Sequence, residues 1–523
     1  MKLYSGNIVT CDSKNSEYKY LVEDKGKILF AGNDLPGNYK ISASNKIDLG
    51  DRALLPSFGD GHLHFSSWAL INSSVDVRDA KNIKELKDML QKYADSDPGA
   101  PVILAFGHSK HSVDEKRLVV KQELDEIKCS RPMIVVCYDG HSAIGNSRLM
   151  DIYPEEIRKL RGFNYDKGQM FNEAYLKGLD FASKMVPTMQ LIKGLLKAVD
   201  KLAEQGISIA HPVEGIGFPK DMDVDMARTI AKGSQINFRI FFQTIEVQKV
   251  LKRKLPRIGG CFATALDGCF GATDAAMLEP YTNDPGNKGI LYYTDEQVIA
   301  FAKEANRAGL QIEMHAIGDA AVAQAVKALE AALKDFPRDD HRHTIIHACL
   351  IAPEDLEKIV KLKIGITLQP AFLISPLEPE EYLKEIMGND RVMAGSPMKK
   401  MIEMGIHVSG GSDAPVTPPD PIEGIYAACN YLNPEHSVSI AQALRMFTYE
   451  VAYTGFDEKE RGSLEAGKIA DMVILNKNPL DLKPENLREL KIEKILLEGK
   501  PYKGGKGIPG MLAGAFTGRS KKI

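Results

Sequence analysis

No run of about 18 consecutive apolar residues occurs in the 523-residue chain, so the length a bilayer-spanning helix requires is missing. A membrane partner is not expected. Cysteine is sparse: Cys11, Cys129, Cys137, Cys261, Cys269, Cys349 and Cys429 form no Cys-x-x-Cys pair and no regular short spacing. An odd, scattered set of this kind argues against a disulfide framework. An excess of charge of one sign is also missing. Lys plus Arg total 67 and Asp plus Glu 70, a formal charge of −3, which attracts neither phosphate backbones nor anionic lipid. Nucleic acid is therefore not an expected partner. The first ten residues are broken by Ser5, Asn7 and Thr10 and lack the continuous apolar core of a secretory signal; a reduced, cytoplasmic protein is expected. What the chain does have is 44% hydrophobic and 26% charged residues, the balance of a globular protein able to bury a large core.

Strand-like runs open the chain, Tyr20–Val22 and Lys27–Phe30, separated by turn residues such as Asp24-Lys25-Gly26. Similar runs return in Ala470–Leu475 and Glu493–Gly499, after a turn region from Gly462 to Gly467. The two chain ends are expected to form one small β-sandwich domain, from residues 1–53 and 462–505. In between, amphipathic stretches alternate with short apolar runs. Examples are Ile192–Gln205 before Ile207–His211, Asp295–Ala308 before Leu310–His315, Asp319–Lys334 before Thr344–His347, Pro353–Leu362 before Ile364–Gln369, and Pro397–Met404 before Ile406–Ser409. Such a βα alternation implies an α/β fold with a parallel sheet. A closed (β/α)8 TIM barrel over 54–461 fits better than an open sheet. His211, His315, His347, Gln369 and Asp413 each fall at or just past the end of an expected strand, and in a barrel those ends form one ring. An open sheet usually carries a Gly-rich phosphate turn, and none is found here. Residues 65–190 read as insertions over that face. The Gly-rich tail, 506–523, reads as either a flexible end or an arm that packs on a partner subunit.

The sharpest local signal is Leu55–His64, a short apolar run closing on His62-Leu63-His64. Residues two apart on a strand share a side, so both imidazoles would face one divalent cation. His315 and His347 end two successive expected strands, and Asp413 follows the last one. Imidazoles and one carboxylate on a single rim make a divalent-metal site, most simply for zinc.

This order of residues resembles the amidohydrolase superfamily, in which a His-x-His on the first strand, His on the fifth and sixth, and Asp on the eighth hold one or two metals. The branch it is most similar to is amidohydrolase family 3, the YtcJ-like group that includes N-substituted formamide deformylases. Supporting segments are Asp139-Gly140-His141-Ser142, Ala265-Leu266-Asp267-Gly268, His315-Ala316-Ile317-Gly318-Asp319, Ser412–Val416 and Arg461–Asp471. The resemblance implies that His62, His64, His315, His347 and Asp413 hold metal and that His141 contacts substrate; Asp267 reads as a substrate contact, a carboxylate supporting the site from behind, or a turn residue before Gly268. There is one departure. A Lys usually stands four residues before the Asp-Gly and bridges two metals, but here that position is Ala263. Cys261, two residues earlier, is a possible thiolate bridge, as in related acylamino-acid deacylases. Otherwise the site holds one metal and His347 is free to polarise a substrate carbonyl.

A cation of this type lowers the pKa of its water from about 15.7 toward about 7, so hydroxide forms at neutral pH. Asp413 is the expected proton shuttle, taking a proton as hydroxide attacks and returning it to the departing nitrogen. The function implied is hydrolysis of a non-peptide C–N bond in a small-molecule amide or formamide, and a homodimer is expected. Heterocycle deamination and a degenerate, ligand-binding barrel are the alternatives. His108, His111, His341, His343, His407 and His436 are expected to be structural or exposed.

Overall fold

The computed structural model describes residues 1–523 apart from 72–73, 98, 139, 217, 375–377, 506 and 518–522. Four strands open the chain: β1 (Lys2–Val9), β2 (Glu17–Asp24), β3 (Lys27–Gly32) and β4 (Lys46–Pro56). Ser57 then separates β4 from β5 (Phe58–Leu63), the first strand of the barrel.

The segment after β5 builds a second sheet. Its strands are β6 (Val75–Asp76), β7 (Ile103–His108), β8 (Met133–Cys137), β9 (Ser142–Gly145), β10 (Phe163–Asn164) and β11 (Gln169–Phe171), in the order β10-β11-β9-β8-β7-β6. One face is covered by the helix Ile83–Ser96, whose Ile83, Leu86, Leu90 and Ala94 recur at helical spacing and are all buried. Asn82 caps that helix by accepting from Glu85 N–H. The inserted residues thus have a core of their own around Leu86, Ile103, Val135 and Ile144.

The barrel resumes with β12 (Ile207–Glu214), β13 (Asn237–Phe238), β14 (Phe241–Phe242), β15 (Arg257–Ala265), β16 (Gln311–Ala316), β17 (Thr344–His347), β18 (Gly365–Leu368) and β19 (Val408–Gly410). All neighbouring pairs are parallel, from β5 on β12 round to β18 on β19, with β13 and β14 filling the third position together. The seam between β19 and β5 has no strand ladder. It is drawn together by glycine: a Cβ on Gly61 would stand 2.9 Å from Gly410 O, and one on Gly411 2.7 Å from His62 N. The helices between the strands start and stop where the residues require. Thr294 and Gln297 form a capping box at the head of Asp295–Arg307, and Gly309 follows with positive φ.

The chain closes with β20 (Met472–Leu475), β21 (Ile492–Leu497) and β22 (Lys500–Pro501). They join the opening strands in one seven-stranded sheet, β22-β21-β20-β4-β1-β2-β3. Tyr4, Ile8, Leu21, Ile28, Met472 and Leu496 share one core there. Beyond it, the helix Gly507–Thr517 lies on the helix Met222–Gly233 of the same chain, with Met511 buried. A Cβ on Gly233 would stand 2.4 Å from Met511 O, so only glycine permits this contact. The described helix of the tail docks on its own barrel, unlike either the free end or the partner arm read from composition; it finds an acceptor helix in the same chain.

Candidate metal centre

His62 and His64 leave the end of β5 on one side, as the two-residue period requires. Asp413 is brought over them by a clasp. Asp60 accepts from Ser412 N–H at 2.9 Å and from Ser412 Oγ–H at 2.6 Å, and Asp413 N–H donates to His62 O at 2.8 Å. Burial raises the Asp60 carboxyl to about 6 even against these donors. Asp413 Oδ1 then stands 3.2 Å from His62 Nε2 and 3.1 Å from His64 Nε2. Burial opposes its charge, but the two imidazoles outweigh that and hold its carboxyl well below the usual range.

Cys261 enters from β15. Strand alternation is interrupted at Phe262, which has φ 46°, and the register with β16 shifts between Gly260 and Ala265. The bulge turns Cys261 inward, with Sγ 3.2 Å from His62 Nε2 and 3.6 Å from His347 Nε2. Ala263 does not line the cavity, and its carbonyl accepts from Tyr293 O–H at 2.8 Å. Burial, with Asp413 and Glu313 nearby, pushes the Cys261 thiol well up, so a thiolate there calls for a compensating cation.

His347 ends β17 with φ 71°. Its Nδ1 lies 2.6 Å from Gln369 Oε1, so that nitrogen carries the proton and Nε2 turns a lone pair toward the centre. Burial holds the ring well below its ordinary pKa, which suits a ligand. It does not suit the carbonyl-polarising role expected for His347, because donation from Nε2 would require a charged ring. His315 ends β16. Its Nε2 faces Gly268 O at 3.2 Å and Asp267 Oδ1 at 3.4 Å. Burial opposes protonation of His315, but Asp267 outweighs it and the pKa moves up.

Asp267 is not a substrate contact. It is fully buried, and its two oxygens accept from the N–H groups of Ala276, Ile317 and Gly318 at 2.9, 3.0 and 2.8 Å. It stands behind His315 and fixes the loop after β16. His141 does line the cavity, 6.1 Å from the Phe262 ring between centroids; Asp139 of the same motif lies outside the described residues. His211 is inside its strand, since β12 runs on to Glu214, and it is away from the cavity. The remaining histidines hold structure. His108 Nε2 accepts from Val119 N–H, His343 Nδ1 from Ile312 N–H, and His407 pairs with Glu450.

Two groups of potential ligands result, His62, His64, Cys261 and Asp413 on one side and Cys261, His315 and His347 on the other, each with its donor atoms within 4.8 Å. Cys261 belongs to both. The donor chemistry fits divalent cations, and so does the surrounding shell. Glu313 on β16 is fully buried, its oxygens have no hydrogen-bond partner, and Oε2 lies 4.0 Å from His62 Nδ1, which has none either. A ligating histidine with its far nitrogen facing a carboxylate is the usual arrangement around a bound metal. Phe262, His347, Ala348 and Asp413 all have left-handed backbones, φ 42–71°. Each costs of order 1–3 kcal/mol, and such strain gathers where side chains must be held in place. Sequence reasoning missed Asp60, Glu313 and the bulge. Asp60 adjoins the His-x-His pair, but nothing local marks Glu313.

The cluster is the floor of a cavity of about 190 Å³ whose walls come from the inserted sheet and the loops after the barrel strands. Comparison with known proteins agrees with this arrangement. The family model described as the amidohydrolase family matches residues 46–502. The chain is 24% identical over 503 residues to the putative amidohydrolase YtcJ of Bacillus subtilis, covering 89% of this chain and 92% of that protein. It is 21% identical over 546 residues to an N-substituted formamide deformylase of Arthrobacter pascens, covering 95% and 97%. Among solved structures, the fold is similar to a metal-dependent hydrolase of Pyrococcus horikoshii, with a TM-score of 0.74 at 23% identity over 92% of this chain and 99% of that one. With its family match running through the barrel and into the closing strands, the chain belongs to the amidohydrolase family.

Proposed function

We propose that the protein is a metal-dependent hydrolase of a non-peptide C–N bond in an amide or formamide, with Asp413 as its proton shuttle. The observation that carries this reading is the position of Asp413, whose Oδ1 is 3.1–3.2 Å from two imidazole nitrogens and whose side chain lines the cavity. His62, His64 and Asp413 would hold one cation and His315 and His347 a second, with Cys261 between them; imidazole, thiolate and carboxylate together suit zinc. Cations held there supply an acidified water and an electrophile for a carbonyl oxygen. Asp413 takes the proton of the attacking water and hands it to the departing nitrogen. Gln369 keeps the His347 proton on Nδ1, and Glu313 faces that of His62, so both rings turn Nε2 to the centre. His141 is positioned to meet the substrate across from Phe262.

Metal analysis of the purified chain, with product analysis on amides and formamides before and after chelation, tests the reading. Loss of amine release on chelation and its return on adding zinc are expected. A chain that holds far less than one metal after repletion, and is indifferent to chelator, would overturn it in favour of a binding protein. Ammonia released from a heterocycle would replace it with a deaminase.

A further inference from the structure

The cavity above the histidines is walled by hydrocarbon on two opposite sides. Leu70, Ile71 and Phe218 come from the segments after β5 and β12, the first two strands of the ring, and Leu104 and Phe106 of the inserted sheet continue that wall. Ile317, Leu350, Phe372 and Leu383 come from the segments after β16, β17 and β18, the fifth to seventh strands. In a ring of eight strands these two sets face each other across the centre, where His64, Cys261, His347 and Asp413 lie. A scissile bond placed at the cluster therefore has an apolar wall on either hand.

Charged groups in the wall are few. Among the described lining residues Arg391 is the sole Lys or Arg, and its guanidinium is tied to Met387 O at 2.6 Å, Glu279 O at 3.1 Å and Thr282 Oγ1 at 2.8 Å. Glu378 is also in the wall, facing Tyr138 O–H at 3.4 Å. All three acceptors on Arg391 are neutral oxygens, so its charge remains unpaired by a carboxylate and the wall does not by itself exclude a substrate carboxylate.

We infer that the substrate is an amide bearing hydrocarbon groups on both its acyl and its nitrogen side. This rests on the hydrolase reading and narrows it, since a formamide leaves the acyl-side wall without a partner. Hydrolysis adds water across the C–N bond and releases an apolar carboxylic acid and an apolar amine.

The test is a matrix of N-alkyl carboxamides with the metal-loaded full chain, the acyl group lengthened from formyl to octanoyl at one N-substituent, and the N-alkyl group lengthened at one acyl group. kcat/KM is expected to rise along both series by up to about fourfold per methylene, the equivalent of ~0.8 kcal/mol of buried CH₂. Binding of the same amides to the Asp413→Asn chain, by calorimetry, follows chain length without turnover. Chain-length-dependent binding with no hydrolysis by the native chain keeps the ligand class and removes the hydrolase reading. Hydrolysis that is fastest for formamides, or flat along either series, overturns the ligand class and leaves the hydrolase. Leu176 is 39% exposed at the cavity wall, so a charge there can be solvated. Leu176→Glu is expected to flatten one series; no effect on either series counts against the proposal.

Discussion

Glu313 Oε2 and His62 Nδ1 face each other at 4.0 Å, both at zero exposure and neither with a hydrogen-bond partner. When His62 Nε2 is committed to a cation its proton must sit on Nδ1, and Glu313 is the acceptor in front of it. Glu313→Leu is expected to weaken zinc affinity by about 10–100-fold, the usual cost of removing such a support, with Glu313→Gln in between. Competition with a chromophoric chelator measures this. Thermal stability without metal should hold or rise, because an orphaned buried carboxyl is removed. A fall in stability with unchanged affinity would make Glu313 a purely structural residue.

Asp413→Asn keeps the shape of the side chain but not its basicity. Turnover is expected to fall by about 10²–10⁴, with the circular dichroism spectrum unchanged. Activity within a few-fold of the native chain would mean that another group moves the proton.

Cys261 is the one residue common to both ligand groups. The native chain is expected to bind two Co(II) ions with an ultraviolet thiolate-to-metal absorption, and Cys261→Ala to lose that absorption and the second ion. An unchanged spectrum in the variant would show that the thiol stays protonated and unbound.

Glu214 and Asp223 form a buried carboxyl pair beside Ser66 N–H, which donates to Glu214 at 3.0 Å. Burial pushes Asp223 up to about 6, and burial followed by Asp223 pushes Glu214 well above its ordinary value. Unfolded carboxyls titrate near roughly 4, so from there to about 6 and above the native state holds more protons than the unfolded one. Stability from this pair therefore falls as pH rises through that window. Asp223→Asn removes the repulsion and can still accept from Gly215 N–H. Melting temperatures from pH 4 to pH 8 should decline less steeply for the variant. Parallel curves would mean that the pair does not titrate there.

Much of the frame is visible in local pattern. The expected helix Pro353–Leu362 and strand Thr344–His347 coincide with those observed, and Asp295–Ala308 misses by one residue. Each has either a strong period or a cap that reports on its neighbours within one turn. The expected end of the strand at His211 was three residues short, because the strand continues through Pro212, a poor strand former whose neighbours are held by pairing with β5 and β14. The inserted sheet from β6 to β11 was not derivable, since its strands are two to six residues long and owe their pairing to each other.

The residue types and their periods are enough to establish a βα chain ending its strands in metal-binding side chains, since both follow from the backbone and chemistry of each segment alone. Which groups meet is a different matter. Cys261 reaches His62 over 199 positions, Ser412 reaches Asp60 over 352, and Glu313 comes to rest behind His62. Those contacts depend on closure of the ring, a bulge at Phe262 and burial that leaves a carboxylate without a hydrogen-bond partner. No stretch of chain contains that information, because each partner's environment is supplied by a distant one.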